Sequence, residues 1–176
     1  MTAFKRFIVF TLIFFSSTYS ASVWAQKNLK LEQQLKISFE ARLKASPNLN
    51  TLNFTAVHSR GQHLLDCRWK NVVLDFSTLD QLEWRRCRVF STSLEQSSLK
   101  SLSVRESRLS QVDFKNSDLR GSYWMRSSCD ACDFRGADLR DSVFILAKMF
   151  GSKVSSKTVL PFTKDEAKRM GFIFEE

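Results

Sequence analysis

The chain has 176 residues, of which 43% are hydrophobic and 26% are charged. This length allows one domain with its own core, and this composition excludes a disordered chain and a protein with many membrane spans. The formal net charge of +9 at pH 7 makes the protein strongly basic.

The N-terminal segment 1–25 has the organisation of a secretory signal peptide. Lys5 and Arg6 precede the apolar run 7–15, and Val23-Trp24-Ala25 precedes a predicted cleavage position. An uncleaved membrane anchor is the alternative, but the run falls short of the roughly 20 residues that a spanning helix needs. No cysteine lies near the cleavage position, so a lipid anchor is not indicated. We therefore expect a periplasmic or secreted protein with no transmembrane span after cleavage.

Residues 26–50 are predicted to form an amphipathic helix that caps the domain after it. Four apolar residues recur at a spacing of four: Leu31, Leu35, Phe39 and Leu43. Glutamate and lysine residues lie between them, and the pattern stops before Pro47.

From about Leu52 an apolar residue recurs at every fifth position. These centre positions run from Phe54 to Phe144 without a slip in register, and Ser59 is the one polar residue among nineteen. Chance would place only about eight apolar residues in such a set. Two residues before each centre stands a small or apolar residue, with Gln62 as the exception, and no charged residue occupies either position.

Two inward and three outward positions in every five residues predict a short strand followed by a corner. Four such sides return the chain to its starting point after twenty residues, in coils about 4.8 Å apart. We therefore predict an all-β solenoid over residues 51–150, a quadrilateral β-helix of about five coils. Residues 151–176 are predicted to form a C-terminal cap with a short helix, because Thr163 and Glu166 have the spacing of a capping box and Gly171 suits the helix end.

Two segments, FKNSDLRGSYW and CDFRGADLRDSVF, resemble the repeats of pentapeptide-repeat proteins. The unit of that family is approximately Ala, Asp or Asn, Leu and two variable residues, which Ala137-Asp138-Leu139-Arg140-Asp141 fits closely. The resemblance covers about residues 52–146 and implies a right-handed quadrilateral β-helix. It is weaker before Asp113, where large residues leave irregular early coils open: Trp69, Leu82, Trp84 and Leu102.

The best-known members of this family protect DNA gyrase by imitating the shape and negative charge of duplex DNA. This chain is basic, and it is predicted to be exported away from cytoplasmic DNA. We therefore expect neither gyrase protection nor a nucleic-acid partner.

The sequence predicts no catalytic site, cofactor site or metal site. His58 and His63 lie at outward positions on successive sides, where the repeat assembles no nucleophile, base and orienting acid around them. A single zinc site is not expected either, because Cys129 lies about 10 Å from the coil of Cys87. The protein is therefore expected not to be an enzyme.

The four cysteines form two pairs that could be disulfides. Cys67 and Cys87 are twenty residues apart, so their Cα atoms should lie about 4.8 Å apart in neighbouring coils. Cys129 and Cys132 lie at the first and fourth positions of a corner, within about 7 Å of each other. The alternative is that all four are buried thiols in positions that accept small residues. Both interpretations stay open.

Seven basic residues form a candidate anion-binding face: Arg68, Lys70, Arg85, Arg86, Arg88, Arg105 and Arg108. The twenty-residue coil places Arg68, Arg88 and Arg108 in one column, with Arg85 and Arg105 in a column on the adjacent side. Like charges stacked at this spacing repel each other, so the column costs stability unless a ligand or counterions compensate. The alternative is that the side chains splay into water and Glu83 and Glu106 neutralise part of the charge.

These patterns predict an exported, non-enzymatic binding or spacer module of the cell envelope. Its expected partner is anionic: lipid headgroups, an envelope polysaccharide or an acidic protein face. The alternative is a protein-interaction scaffold that forms a homodimer through its C-terminal coil, where five apolar residues cluster: Phe144, Ile145, Leu146, Met149 and Phe150.

Overall fold

The computed structural model describes residues 29–31, 33, 34 and 39–175. The predicted signal peptide and Leu35 lie outside these residues. The chain divides into two compact units after Gln34. In the first unit, residues 29–31, 33 and 34 are helical. The second unit contains helical residues 39–45, short parallel strands and one C-terminal helix. In the part of the chain that the structure describes, no helix is long and apolar enough to cross a membrane.

The strands of the second unit stack into a β-helix with four sides. Side 1 is a parallel sheet of β1 (Leu49–Asn53), β3 (Arg68–Val73), β5 (Arg88–Phe90), β7 (Arg108–Ser110) and β9 (Ser128–Asp130). Side 4 is a parallel sheet of β2 (His63–Leu65), β4 (Glu83–Arg85), β6 (Ser103–Arg105), β8 (Tyr123–Met125) and β10 (Val143–Ile145). Sides 2 and 3 lie between them along the chain and are held by single bridges, such as Asp113 to Asp133 and Asp118 to Asp138.

The register confirms the predicted coil of twenty residues. Arg88 lies beside Arg68 in one rung and beside Arg108 in the next, and the other strands of sides 1 and 4 keep the same offset. The β-helix has about six coils, one more than predicted, because it already begins at Leu49 and continues through Met149 to Val154. All three residues obey the five-residue spacing and are buried.

The early coils are as regular as the later ones. The large residues that left irregular coils open are all buried in the core: Trp69, Leu82, Trp84 and Leu102. The indole rings of Trp69 and Trp84 pack edge to face, with their centroids 5.3 Å apart. The wide tryptophan side chains therefore fill the interior of these coils without shifting the strands.

Serine at the inward position before a centre satisfies the backbone of the preceding coil. The Ser97 hydroxyl accepts a hydrogen bond from Ser77 N at 3.1 Å and donates one to the Leu74 carbonyl at 2.8 Å. The Ser107 hydroxyl likewise accepts a hydrogen bond from Cys87 N at 2.9 Å and donates one to the Trp84 carbonyl at 3.1 Å. A small hydroxyl residue is favoured at these positions because it pairs two buried backbone groups at a corner.

The two exceptions to the repeat, Ser59 and Gln62, bind each other. Gln62 Nε2 donates to the Ser59 hydroxyl at 3.0 Å, and this hydroxyl donates to Glu40 Oε1 at 2.9 Å. Glu40 belongs to helical residues 39–45. Phe39 of the same segment is fully buried, and its ring lies 5.2 Å from that of Phe54. This segment therefore covers the first coil.

The C-terminal helix, Lys164–Met170, has the predicted capping box and end. The Thr163 hydroxyl accepts from Glu166 N at 3.3 Å, and Thr163 N donates to the Glu166 carboxylate at 2.9 Å. Gly171 ends the helix with a left-handed φ of 101°. The chain then returns as β12 (Phe172–Phe174) and pairs with β11 (Ser152–Val154), again at an offset of twenty residues. On side 4, by contrast, β10 is the last strand, and none of the described residues forms a strand along its far edge.

Every fifth residue from Thr51 to Gly151 has a positive φ, so each corner turns through a left-handed residue. Its N–H donates to a carbonyl of the next coil, as from Ala56 to Asp75 at 2.8 Å and from Phe76 to Glu95 at 2.9 Å. Most of these corner residues are not glycine, although a left-handed φ is uncommon for residues that carry a Cβ. Stacking of the coils therefore imposes the corner conformation on the sequence.

At the corners, Gly136→Ala is expected to be more damaging than Gly151→Ala. Both glycines have a left-handed φ, but a Cβ at position 136 would overlap Asn116 Oδ1, whereas the space around position 151 is open. Overpacking of this kind should lower the free energy of unfolding by about 1 kcal/mol beyond the loss in Gly151→Ala. Urea denaturation measures both variants. The difference should disappear in an Asn116→Ala background, and equal losses in the two single variants would contradict the expectation.

Candidate anion-binding face

Side 1 carries most of the unbalanced charge of the β-helix. Its outward positions hold five basic residues, Arg68, Lys70, Arg88, Arg108 and Lys148, against the single acidic residue Asp130. The outward positions of side 2 hold three basic and four acidic residues, and those of side 3 hold four of each. The outward positions of side 4 hold four basic and three acidic residues, so the unbalanced positive charge of the β-helix is concentrated on side 1.

The structure brings the sequence-predicted arginines together in columns. Arg68, Arg88 and Arg108 are neighbours in successive rungs of side 1, and Arg85 is the neighbour of Arg105 on side 4. Arg68, Arg88 and Arg108 are exposed, and none has a carboxylate oxygen within 4 Å among the described residues. This column therefore presents three guanidinium groups without an internal counterion.

Three other residues of the candidate face have different surroundings. Arg86 donates two hydrogen bonds of 2.8 Å to the Asp66 carboxylate, and this pairing holds the pKa of Asp66 below its ordinary value. The Arg105 guanidinium lies 4.9 Å from the centre of the Tyr123 ring. Lys70 is exposed on side 1, where it lies beside Phe90 of the next coil. Arg86 is thus partly neutralised, and it adds less unpaired positive charge to the candidate face than Arg68 or Arg88.

The predicted neutralising carboxylates are not paired with the arginine column. Glu83 Oε2 lies 2.8 Å from His63 Nδ1 instead. Glu106 has no basic nitrogen within 4 Å in the described part of the chain, although its charge helps to raise the pKa of Arg86. The structure therefore places these two carboxylates near the face without placing them on Arg68, Arg88 or Arg108.

Sides 2 and 3 show the opposite arrangement, in which aspartates hold the basic residues. Arg120 binds Asp118 at 2.7 Å, and Arg140 binds Asp138 at 2.5 Å. These hydrogen bonds are the largest cause of the lowered pKa of both aspartates. The stacked basic column on side 3 is therefore compensated within the protein.

A groove follows the corner where side 4 turns into side 1, and we call it the corner groove. One part, with a volume of about 530 Å³, is lined by Arg68, Arg86 and Arg88 together with Asn48 and Asp66. The other part, of about 580 Å³, is lined by Arg88, Arg108, Arg126 and Lys148 among others. The sequence interpretation missed Arg126 and Lys148, although Arg126 lies forty residues after Arg86 and Lys148 lies forty after Arg108, in the same columns.

Both cysteine pairs are disulfides in the structure. The Cα atoms of Cys67 and Cys87 are 4.5 Å apart, and those of Cys129 and Cys132 are 5.8 Å apart. All four side chains are buried. Arg68 and Arg88 follow directly after the first pair, so this disulfide links the two coils that begin the arginine column.

The five residues of the predicted dimer end are divided between core and surface. Met149 is fully buried and cannot contact a partner, because it occupies a centre position of the sixth coil. Phe144 is partly buried, and its ring stacks on Trp124 at 5.8 Å. Ile145, Leu146 and Phe150 point outward and are 43%, 73% and 55% exposed.

The two histidines bind neighbours on the surface of the β-helix. His58 Nδ1 lies 2.9 Å from the Thr78 hydroxyl, and His63 is paired with Glu83. Within the described ranges, no group of three or more His, Cys, Asp and Glu residues could hold a metal ion.

Comparisons with known proteins bear on the fold. No family model matches the sequence, and no curated protein does either. A pentapeptide repeat protein from the thylakoid lumen of Arabidopsis thaliana is similar in structure, with 16% identity, a TM-score of 0.52 and coverage of 63% of this chain and 75% of that one. HetL, a pentapeptide repeat protein involved in heterocyst differentiation regulation in the cyanobacterium Nostoc, has 14% identity, a TM-score of 0.48 and coverage of 65% and 70%. A trypsin-treated form of QnrB1, a plasmid-mediated fluoroquinolone resistance protein, has 12% identity, a TM-score of 0.39 and coverage of 63% of each chain. At such identities the likeness concerns the fold alone.

Proposed function

We propose that this chain, which has the fold of the pentapeptide-repeat proteins, is an exported, non-enzymatic module of the cell envelope that binds an anionic partner through the corner groove. The observation that carries the proposal is the column of Arg68, Arg88 and Arg108, which has no carboxylate within 4 Å among the described residues. Export is supported by the signal-peptide pattern of segment 1–25. A non-enzymatic role is supported by the surroundings of the two histidines. In the described part of the chain His58 binds the Thr78 hydroxyl and His63 binds the Glu83 carboxylate, so neither imidazole has both a nucleophile and an orienting acid.

The column suits an extended anion for a geometric reason. Its three guanidinium groups lie in successive coils, so they repeat about every 4.8 Å along a straight line of about 10 Å. Guanidinium groups bind phosphates and carboxylates with two parallel hydrogen bonds, and a chain or array of such groups can contact several rungs at once. An anion in this position would also relieve the repulsion between the stacked cations.

A DNA-mimicking role is not proposed, because a protein that binds DNA presents a positive surface, which a basic face repels.

The anionic partner is also expected to bind less tightly as salt rises. Attraction between exposed charges is screened beyond about 8 Å at physiological ionic strength.

The test is neutralisation of the column, in the variant Arg68→Gln/Arg88→Gln/Arg108→Gln. We expect its affinity for long-chain polyphosphate, a soluble polyanion, to be about 100-fold lower than that of the unchanged protein at low salt. The matched control is Arg120→Gln/Arg135→Gln/Arg140→Gln, which removes the same charge from guanidinium groups that aspartates already hold. Titration calorimetry with both variants measures the difference. An equal loss in both would mean that net charge alone attracts the polyanion, and the corner groove would not be a site.

A homodimer through the C-terminal coil is the second candidate, and the edge of side 4 favours it. β10 is the last strand of its sheet, and its Val143 and Ile145 side chains are exposed. An open edge with apolar side chains can pair with another strand. Sedimentation at several protein concentrations distinguishes the candidates: a dimer that persists in high salt and is lost in Ile145→Lys would support the scaffold role.

A further inference from the structure

An exposed apolar tip lies at the end of the corner groove. It consists of Ile145 and Leu146 at the end of the fifth coil and Phe150 at the start of the sixth. Leu146 lines the same part of the groove as Arg88, Arg108 and Lys148. The Lys148 amine also lies 5.6 Å from the centre of the Phe150 ring. The groove therefore reaches from guanidinium groups to Leu146, and Phe150 lies beside its Lys148.

The folding of the β-helix does not explain Leu146. The residue is 73% exposed at a corner with a φ of 53°, a conformation that disfavours a branched apolar side chain. The same corner in the four preceding coils is occupied by polar residues: Asp66, Arg86, Glu106 and Arg126. The leucine contributes little to the core, and an exposed apolar cluster beside charged residues is typical of an interaction site.

We propose that the corner groove and the apolar tip together bind the surface of a bilayer that contains anionic phospholipid. This inference rests on the proposed function and names the anionic partner. Arg68, Arg88 and Arg108 contact lipid phosphates, while Leu146 and Phe150 enter the boundary between headgroups and acyl chains. Surfaces that combine basic residues with exposed leucine and phenylalanine bind membrane interfaces, because charge attraction and apolar burial act together.

The other two classes of partner use only half of this surface. A soluble polyanion would bind the guanidinium groups and leave Leu146 and Phe150 in water. A second copy of the chain would cover the apolar tip, but a symmetric contact at this corner would bring each basic column towards its own copy. Only a partner with both anionic and apolar layers is complementary to the whole corner.

The straightness of the column also suits a flat partner. The strands of side 1 keep one register from Arg68 to Arg108, and Lys148 lies in the same column two coils further on. The distance from Arg68 to Lys148 is four coil steps, about 19 Å. Side chains on one straight edge of the β-helix can reach the plane of lipid phosphates at the same time.

The test separates lipid binding from polyanion binding by changing the tip alone. The natively processed protein is mixed at physiological salt with vesicles of phosphatidylcholine containing about a third phosphatidylglycerol, and bound protein is measured by flotation. We expect Leu146→Asn/Phe150→Ser to reduce binding to these vesicles at least about tenfold and to leave binding to polyphosphate unchanged. Asparagine tolerates the left-handed corner, so folding should be unaffected. The matched control is Phe76→Asn, which removes an equally exposed phenylalanine from a corner of side 2 and should change neither measurement.

Each other outcome has a definite meaning. Binding to polyphosphate but not to vesicles would overturn the lipid proposal and leave the proposed function intact, whereas binding to neither would overturn both. Equal binding to vesicles without phosphatidylglycerol would exclude recognition of anionic lipid. If the tip variant binds vesicles normally but changes from dimer to monomer in sedimentation, the tip is a dimer interface and the proposal is wrong.

Discussion

Phe134→Ala is expected to lower the free energy of unfolding by about 3–5 kcal/mol. Phe134 is a fully buried centre residue of side 2. Its ring stacks on Phe114 at 5.0 Å and packs edge to face against Trp124 at 6.0 Å and Phe172 at 5.7 Å. Removing the ring leaves a cavity between two coils and β12, where stacked strands cannot move together to fill it. Urea denaturation followed by circular dichroism measures the loss.

Phe76→Ala is the matched control, because it removes the same side chain from the same side of the β-helix. Phe76 is 54% exposed at a corner, so its removal leaves no cavity. The expected change is within about 0.5 kcal/mol. Hydrogen exchange should show the damage of Phe134→Ala chiefly in the adjoining coils, because each coil contacts only its neighbours. Similar losses in the two phenylalanine variants would mean that the inward and outward positions of side 2 are wrongly assigned.

Cys67→Ser/Cys87→Ser is expected to lower the free energy of unfolding by about 3 kcal/mol. The disulfide joins residues twenty apart, and a closed loop of this length restricts the unfolded chain by about that amount. The folded register should survive, because serine suits this position: one coil later Ser107 pairs with the backbone of Cys87 and Trp84. The loss of stability should therefore come mainly from the greater conformational freedom of the unfolded chain without the disulfide.

Reduction of the unchanged protein is the companion experiment. A thiol reductant that reaches both disulfides should destabilise the protein by more than the double variant does, because the Cys129–Cys132 bridge is also lost. That bridge closes a loop of only three residues, for which the same relation gives about 2 kcal/mol. Non-reducing peptide mapping verifies the two pairings first. An oxidised protein no more stable than the double variant would contradict the expected contribution of Cys67–Cys87.

The register of the fold could be predicted from the sequence because the core accepts a narrow set of residues. No charged residue falls on an inward position between Leu52 and Phe144, so a slip would have been visible. The first and last residues of the β-helix were harder to predict. Leu49, Met149 and Val154 obey the spacing, but single apolar residues beside Pro47 or before a helix carry too little information. The last strand, β12, could not be predicted either, because the C-terminal helix interrupts the five-residue pattern before Phe172 pairs with Ser152.

The candidate site was predictable in position but not in pairing. The twenty-residue coil placed Arg68 beside Arg88 in the neighbouring coil, and in the same way it placed Arg86 beside Asp66 and His63 beside Glu83. Only the side-chain geometry distinguishes a free column from an ion pair. Met149 is different, because its centre position already predicts burial. The five-residue period therefore excludes Met149 from the predicted dimer surface.

The unbroken register has a consequence for how such a surface can change in evolution. Deleting five residues between Arg88 and Arg108 would keep every later residue facing inward or outward as before, but it would turn all of them by one side. Arg108 would then lie a quarter of a circuit away from Arg88. Deleting the twenty residues 89–108, by contrast, would remove one coil together with Arg108 and leave the remaining residues of the column aligned. Insertions and deletions of five residues therefore rotate the later part of the β-helix by one side. One such event can remove or create a binding edge while every inward position still holds a residue suited to the core.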